Sequence, residues 1–296
     1  MRTDLEKSVV EEIGPSSRQM PVLSCHVLDT GYCTVWENQL VTGGRKLPVR
    51  VHALAMLLHH PAHGWFLFDT GYAPRILDAT QGYPFRAYRW VTPMTVTPEL
   101  AVANQLSRFG LTPQDISRVV LSHFHADHVA GLLDFPSVRL VSGREAWMAV
   151  RALSSLRALS RGFVPALMPQ DFESRVDLIG DFCGPELAPF GKTHDLFSDG
   201  SALLVRLPGH ARGQLGLIAQ TNKGRIFFVA DSYYMPASIH ERALPHPITR
   251  FFAVDDWAAL GKTINHLADF AAANPDVVLL PTHCPEAFRK YAEPLA

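Results

Sequence analysis

Short apolar runs separated by turn-forming clusters recur along the chain from Val22 onward. Runs of this length, bounded by Gly, Pro, Asn or His, read as buried strands. Residues 51–58 and 65–68 are predicted to be paired strands, joined through His59-His60-Pro61-Ala62-His63-Gly64. Residues 119–121, 137–141, 202–207, 225–230 and 277–280 read as further strands. Residues 218–227 read as a hairpin around Thr221-Asn222-Lys223-Gly224, where Asn and Gly supply turn conformations. Helical spacing is rarer. Thr97-Pro98-Glu99 opens one predicted helix with an N-cap, a proline in the first turn and an acid near the positive end. Leu100, Ala103 and Leu106 form its apolar face and Gly110 stops it. Asp256 and Trp257 open another, with Leu260, Ile264, Leu267 and Phe270 on one face and Asn274-Pro275 at its end.

Residues 144 to about 198 interrupt this alternation. Trp147, Met148, Val150, Leu153, Leu156 and Leu159 suggest one helix, followed by Phe163, Val164, Leu167 and Met168. Core packing accounts for most of these. A helical insertion capping a site accounts for them too, and its Phe, Leu and Met would suit an apolar substrate. Residues 1–20 are polar, with Gly14-Pro15-Ser16-Ser17 as a breaker, and read as an N-terminal arm. Self-association into a homodimer is one use for such an arm. Residues 21–296 read as a single domain.

Bulk properties narrow the function. With 296 residues and 47% hydrophobic content the chain can bury a sizeable core. A net charge of −1 with dispersed bases argues against nucleic acid or an anionic membrane as partner. No apolar run is long enough to span a bilayer. The first residues lack the apolar stretch of a secretory signal, so a cytoplasmic protein is expected. Cys25, Cys33, Cys183 and Cys284 show no CxxC spacing, which argues against a disulfide framework.

Chemistry concentrates in Ser122-His123-Phe124-His125-Ala126-Asp127-His128. One histidine at a strand end is ordinary polar surface. Three with an aspartate compete for the same hydrogen-bond partners unless a cation holds them, and imidazole with carboxylate is a donor set suited to zinc. Downstream, three apolar runs each end in one further donor: His210, Asp231 and His283. Cys284 beside His283 reads as a small buried apolar residue. His59, His60 and His63 read as part of a surface loop.

This pattern resembles the metallo-β-lactamase superfamily. The motif His-x-His-x-Asp-His is present from His123 to His128, with His210, Asp231 and His283 following in the family's order. Asp69-Thr70-Gly71 is similar to the Asp-Thr-Gly that precedes the motif. The resemblance implies an α+β fold, a four-layer αββα sandwich in which two β-sheets pack together with helices outside. Seven donors exceed the four of a tetrahedral zinc site and suit two divalent ions, zinc by default, with iron, manganese or cobalt as alternatives. The resemblance assigns His123, His125 and His210 to the first ion and Asp127, His128 and His283 to the second, with Asp231 bridging. Two such ions would turn a water into a bridging hydroxide near neutral pH.

Asp231 in place of cysteine departs from the true zinc β-lactamases. It is more similar to glyoxalase II and to the N-acyl homoserine lactone lactonases, which carry a tyrosine where Tyr234 stands. The implied reaction is lactone ring opening, with Tyr234 donating to the carbonyl oxygen and Asp127 passing a proton to the leaving oxygen. A glyoxalase II-like thioesterase, with Arg212 or Lys192 as unplaced candidates for its substrate's carboxylates, remains open. So do a phosphodiesterase or phosphotriesterase, and a mononuclear iron sulfur dioxygenase.

Overall fold

Strands that are apolar at every position must be covered on both faces, and this decides how the layers stack. A computed structural model describes residues 20–251 and 254–294. Residues 1–19 of the expected arm lie outside the described residues. In chain order the first strands are β1 Ser24–Trp36, β2 Pro48–His60, β3 Gly64–Phe68, β4 Met94–Thr95, β5 Ile116–Leu121, β6 Arg139–Gly143 and β7 Val176–Ile179. They form one sheet in the order β4-β1-β2-β3-β5-β6-β7. Next come the two-residue strands β8 Glu186–Leu187, β9 Gly191–Lys192 and β10 His194–Asp195. The longer strands β11 Ala202–Arg206, β12 Leu215–Thr221, β13 Gly224–Ala230 and β14 Val277–Pro281 follow. β10 to β14 make a second sheet in sequence order, and β8 pairs with β9 apart from both.

Side chains alternate between faces along a strand, and the packing follows that period. From β2, Leu54, Met56 and Leu58 enter the layer between the sheets, while Ala53, Ala55 and Leu57 face outward. Phe66 and Phe68 of β3 point inward with Val120 of β5; Leu67, Val119 and Leu121 point outward. The inner layer is completed by Leu204, Leu217, Ile226, Phe228 and Leu280 of the second sheet. Helical segments carrying Ile76, Leu106, Trp147 and Phe172 cover the outer face of the first sheet. Leu260, Ile264, Leu267 and Phe270 of helix Trp257–Ala273 cover the outer face of the second. Helix, sheet, sheet and helix therefore succeed one another as the expected four-layer α+β sandwich.

Four local expectations change. The helix expected from Thr97 is broken into a 3-10 turn Pro98–Leu100, a helix Val102–Gln105 and a 3-10 segment Leu106–Phe109. Ala101 is extended between the first two, and the Gln105 amide donates to the Leu100 and Asp29 carbonyls at 2.7 Å each. A side chain thus takes over a backbone acceptor that a continuous helix would satisfy itself. Gly110 ends the segment in the left-handed region as expected, at φ 70°. The single helix suggested by Trp147 to Leu159 is two, Arg144–Val150 and Ser155–Leu159, parted by an extended Ser154 and by Ser155 at φ 55°. Farther on, residues 144–198 contribute strand β7 to the first sheet as well as helical turns. His59 and His60 belong to β2 rather than to a connector, and His60 is fully buried.

Helix Trp257–Ala273 is capped as its sequence suggests, Asp256 Oδ1 accepting from the Ala259 N–H at 2.9 Å. Asp256→Ala should cost about 1 kcal/mol and lower Tm by about 2–4 °C, with metal content unchanged. Thermal melts equal to wild type would show that the cap contributes nothing.

Candidate metal centre

Strand direction delivers the donors to one edge. β12 runs antiparallel to β11 and to β13, and β14 is parallel to β13. β11, β13 and β14 therefore point the same way, and His210, Asp231 and His283 lie beyond their C-terminal ends. In the other sheet β3 and β5 are parallel; Asp69 follows the first and His123 the second. The Leu215 N–H donates to the Ser122 carbonyl at 2.9 Å and ties the two edges together. His125 stands at the N-cap of the short helix Ala126–Val129, which carries Asp127 and His128. Asp69 and Ala230, at the strand ends, hold φ of 62° and 48°, a conformation costly for non-glycine residues and concentrated at functional sites.

All seven predicted donors converge. His123, His125, His210 and Asp231 offer ligand atoms within 4.8 Å of one another, as do Asp127, His128 and His283. Asp231 reaches both groups: Oδ1 lies 3.2 Å from His128 Nε2, and Oδ2 lies 3.3 Å from His210 Nε2 and 3.0 Å from His283 Nε2. His283 Nε2 is also 3.1 Å from Asp127 Oδ2.

Hydrogen bonds behind the rings set which nitrogen faces the centre. His283 Nδ1–H donates to the His52 carbonyl at 2.8 Å, since a carbonyl only accepts. His128 Nδ1–H donates to Asp69 Oδ2 at 2.7 Å. Ser122 Oγ gives its hydrogen to Asp69 Oδ2 at 2.7 Å, so it accepts from His123 Nδ1–H at 2.9 Å. His210 Nδ1 meets the Tyr234 hydroxyl at 2.9 Å. Each of these four rings turns Nε2 inward. His125 is reversed, its Nδ1 being 2.9 Å from His210 Nε2. Three inward atoms, His123 Nε2, His128 Nε2 and Asp231 Oδ1, are buried without a hydrogen-bond partner. Buried polar atoms left in this way cost free energy, and a cation satisfies all of them at once. The donor set fits metal.

Electrostatics agree. Burial pushes His123, His125 and His210 down, His210 to about 3. Burial also opposes charge on His128, yet the Asp231 and Asp69 carboxylates overcome it and raise the ring to about 10. His283 is raised despite burial by Asp231 and Asp127. Burial would lift Asp127, but the hydrogen bond from His283 and the charges of His128 and His283 hold it below the usual carboxylate range. Asp231 is held low against burial by His283, His128 and His210. Without metal, the neighbouring carboxylates favour an extra proton on His128 and His283.

Some participants escaped the sequence reading. Asp69 accepts three hydrogen bonds, including Ser122 N–H at 2.7 Å, yet only its place in a short motif marked it. The His52 carbonyl is backbone and leaves no trace in residue type. Gly162, at φ 59°, lies so close to His125 that a Cβ would come within 2.8 Å of the ring. By contrast the His60, His63 and Asp199 cluster is not poised for metal. His60 Nδ1 accepts from the Ala62 and His63 N–H groups, so Nε2 carries the hydrogen that meets Asp199 Oδ2 at 2.8 Å. Cys284 is buried and lies outside both donor groups, as expected.

Residues 49–283 match the family described as the Metallo-beta-lactamase superfamily. The chain belongs to this superfamily. It is a metal-dependent hydrolase with His and Asp metal-binding groups on the metallo-β-lactamase fold. It is 27% identical over 271 residues to the N-acyl homoserine lactonase AiiB of Agrobacterium fabrum, covering 86% of this chain and 91% of that one. Its fold is similar to that of a B. thuringiensis AiiA variant with N-decanoyl-L-homoserine at the active site, with a TM-score of 0.68, 18% identity, and 92% and 96% of the two chains covered. AidC, a dizinc quorum-quenching lactonase, superposes at a TM-score of 0.62 with 17% identity, over 90% and 89% of the chains.

Asn tolerates the left-handed backbone of Asp69, but its amide must point a donor at either Ser122 N–H or the Ser122 and His128 donors. Asp69→Asn should weaken metal binding about 10–100-fold, read by chelator competition; unchanged affinity would remove the anchoring role. Metal loading near pH 7 should also expel protons from His128 and His283. Calorimetry in buffers of different ionisation enthalpy reads that release, and buffer-independent heats would contradict it.

Proposed function

We propose that this hydrolase opens the ring of N-acyl homoserine lactones at a dinuclear zinc centre. The reading is carried by a cavity of about 740 Å³ that combines the donor cluster with apolar walls. His125, Asp127, His210, Asp231 and His283 line it together with Tyr234. Val51 and Leu159 face it, and Trp36, Trp90, Leu156 and Ile248 stand half exposed around it. Such walls suit an uncharged head with an alkyl chain. Among the described residues no Lys or Arg lines the cavity, and Arg212 and Lys192 are exposed elsewhere. That disfavours substrates carrying several carboxylates or phosphates. The names of the relatives support the same substrate class.

In this reading His123, His125 and His210 hold one ion, Asp127, His128 and His283 hold the other, and Asp231 contacts both. Two divalent cations there would supply an activated water and polarise the substrate carbonyl. The side chains do the rest. With His210 ligating through Nε2, its Nδ1 carries hydrogen and donates to the Tyr234 oxygen. The phenol hydrogen is then free to donate to the lactone carbonyl oxygen as negative charge develops there. Burial and the nearby Asp231 and Asp127 keep this phenol protonated by raising it well above its usual range. As the acyl–oxygen bond breaks, the departing ring oxygen needs a proton, and Asp127, lining the cavity beside His283, is placed to convey it. The product is the open-chain hydroxy acid. Three buried, unpaired cysteines suit a cytoplasmic setting.

A panel of lactones, thioesters and phosphoesters on metal-analysed protein tests the function. Acyl homoserine lactones should give the highest kcat/KM; a thioester or phosphoester leading by tenfold or more would replace this reading. Tyr234→Phe should reduce kcat on lactones roughly tenfold to a hundredfold with two metals retained. Full turnover in that variant would take the tyrosine out of the mechanism.

A further inference from the structure

Outside the donor cluster, three X–H side chains meet on one cavity wall and play no part in the proposed ring opening. Cys33 comes from β1, Tyr72 from the loop after β3, and Tyr88 from helix Arg86–Val91. All three line the cavity yet are nearly buried, at 8%, 1% and 7% exposure. The Tyr72 hydroxyl neighbours both the Tyr88 hydroxyl and the Cys33 thiol. The mounting is firm. Tyr72 N–H donates to Thr30 Oγ1 at 2.8 Å, and the Thr92 hydroxyl donates to the Tyr88 carbonyl at 2.6 Å.

Beyond the Thr92 side chain next to Tyr88, the two phenols pack in an apolar group with Ile76, Val102 and Leu106. A hydroxyl in such a place is costly unless it finds a partner. Three groups in a row share two contacts and own three hydrogens, so one hydrogen goes either to Thr92 Oγ1, the further neighbour of Tyr88, or to an acceptor in the cavity. The cavity is the open side. Burial keeps these groups protonated, with Cys33 pushed up to about 11 and both phenols well above their usual range. The row continues toward the metal centre, because Cys33 packs with Tyr234, whose hydroxyl meets His210.

We infer that Tyr72 and Tyr88 donate a hydrogen bond to the carbonyl oxygen of the substrate's acyl amide, and so select N-acylated lactones over lactones bearing a plain alkyl chain. This rests on the lactonase reading. In an N-acylated lactone the amide is attached to the ring carbon next to the lactone carbonyl. Two acceptors close together on one molecule then meet donors on one wall, Tyr234 for the ring and the phenol pair for the amide. A plain alkyl lactone leaves the pair unanswered, and a site built to donate discriminates against a ligand that cannot accept.

The test compares kcat/KM for N-decanoyl homoserine lactone and for a γ-alkyl lactone of matched chain length. Metal-loaded wild type, Tyr72→Phe and Tyr88→Phe are measured. Each variant should lose about tenfold on the acylated lactone, carried by KM, and change less than about twofold on the alkyl lactone, with metal content and Tm unchanged. Equal losses on both lactones, or no loss on the acylated one, overturn the inference while the lactonase reading stands. Wild type that opens neither lactone overturns both. If Tyr72→Phe does not fold, Tyr88→Phe alone decides.

Discussion

The Asp69 carboxylate is the constraint on which the centre depends. It stands in a strained backbone conformation, fully buried, and accepts from Ser122 N–H, Ser122 Oγ–H and His128 Nδ1–H. Through Ser122 it also governs His123, since a serine whose hydrogen is committed to a carboxylate can only accept from the ring beside it. One anion therefore orients a donor from each of the two groups. Thr70 adds to this by donating its N–H and hydroxyl to the His128 carbonyl, both at 2.9 Å. The short segment after β3 thereby fastens the helix that bears Asp127 and His128.

Such fastening matters because the centre carries more charge and more unpaired lone pairs than an apolar sandwich tolerates. Six of the seven donors are buried, and His125 is partly so. The sheets supply rigidity, with phenylalanines and leucines from both inner faces filling the layer beneath, and the strand ends supply position. Gly209 shows how close the packing runs. At φ 131°, before His210, it leaves no room for a Cβ, which would come within 2.2 Å of the Leu260 backbone at the start of the long helix. The cavity above combines two environments: polar side chains near the histidines, and Trp, Leu and Ile farther out.

Much of this was legible in the residues. β5, β11, β13 and β14 announced themselves because strands buried on both faces are continuously apolar, and the donors announced themselves because each follows such a run. Helix Trp257–Ala273 was legible from one apolar face with an acid before it. The segment after Thr97 was not, because a glutamine side chain competing for backbone carbonyls breaks a pattern that local propensity favours. His60 was misplaced for a related reason. Its burial is set by Asp199, distant in sequence, and by the turn's own N–H groups.

The chain's residue order determined the kinds of ligand and their place after strands, because periodicity and residue chemistry are local properties; the layered α+β architecture followed only from the family resemblance that those residues carry. Tertiary structure alone decided which ring nitrogen each histidine presents, and that Tyr72, Tyr88 and Cys33 share a wall. Those facts depend on contacts between segments far apart along the chain. Spacing in one dimension does not encode which backbone carbonyl or buried carboxylate will stand behind a given ring.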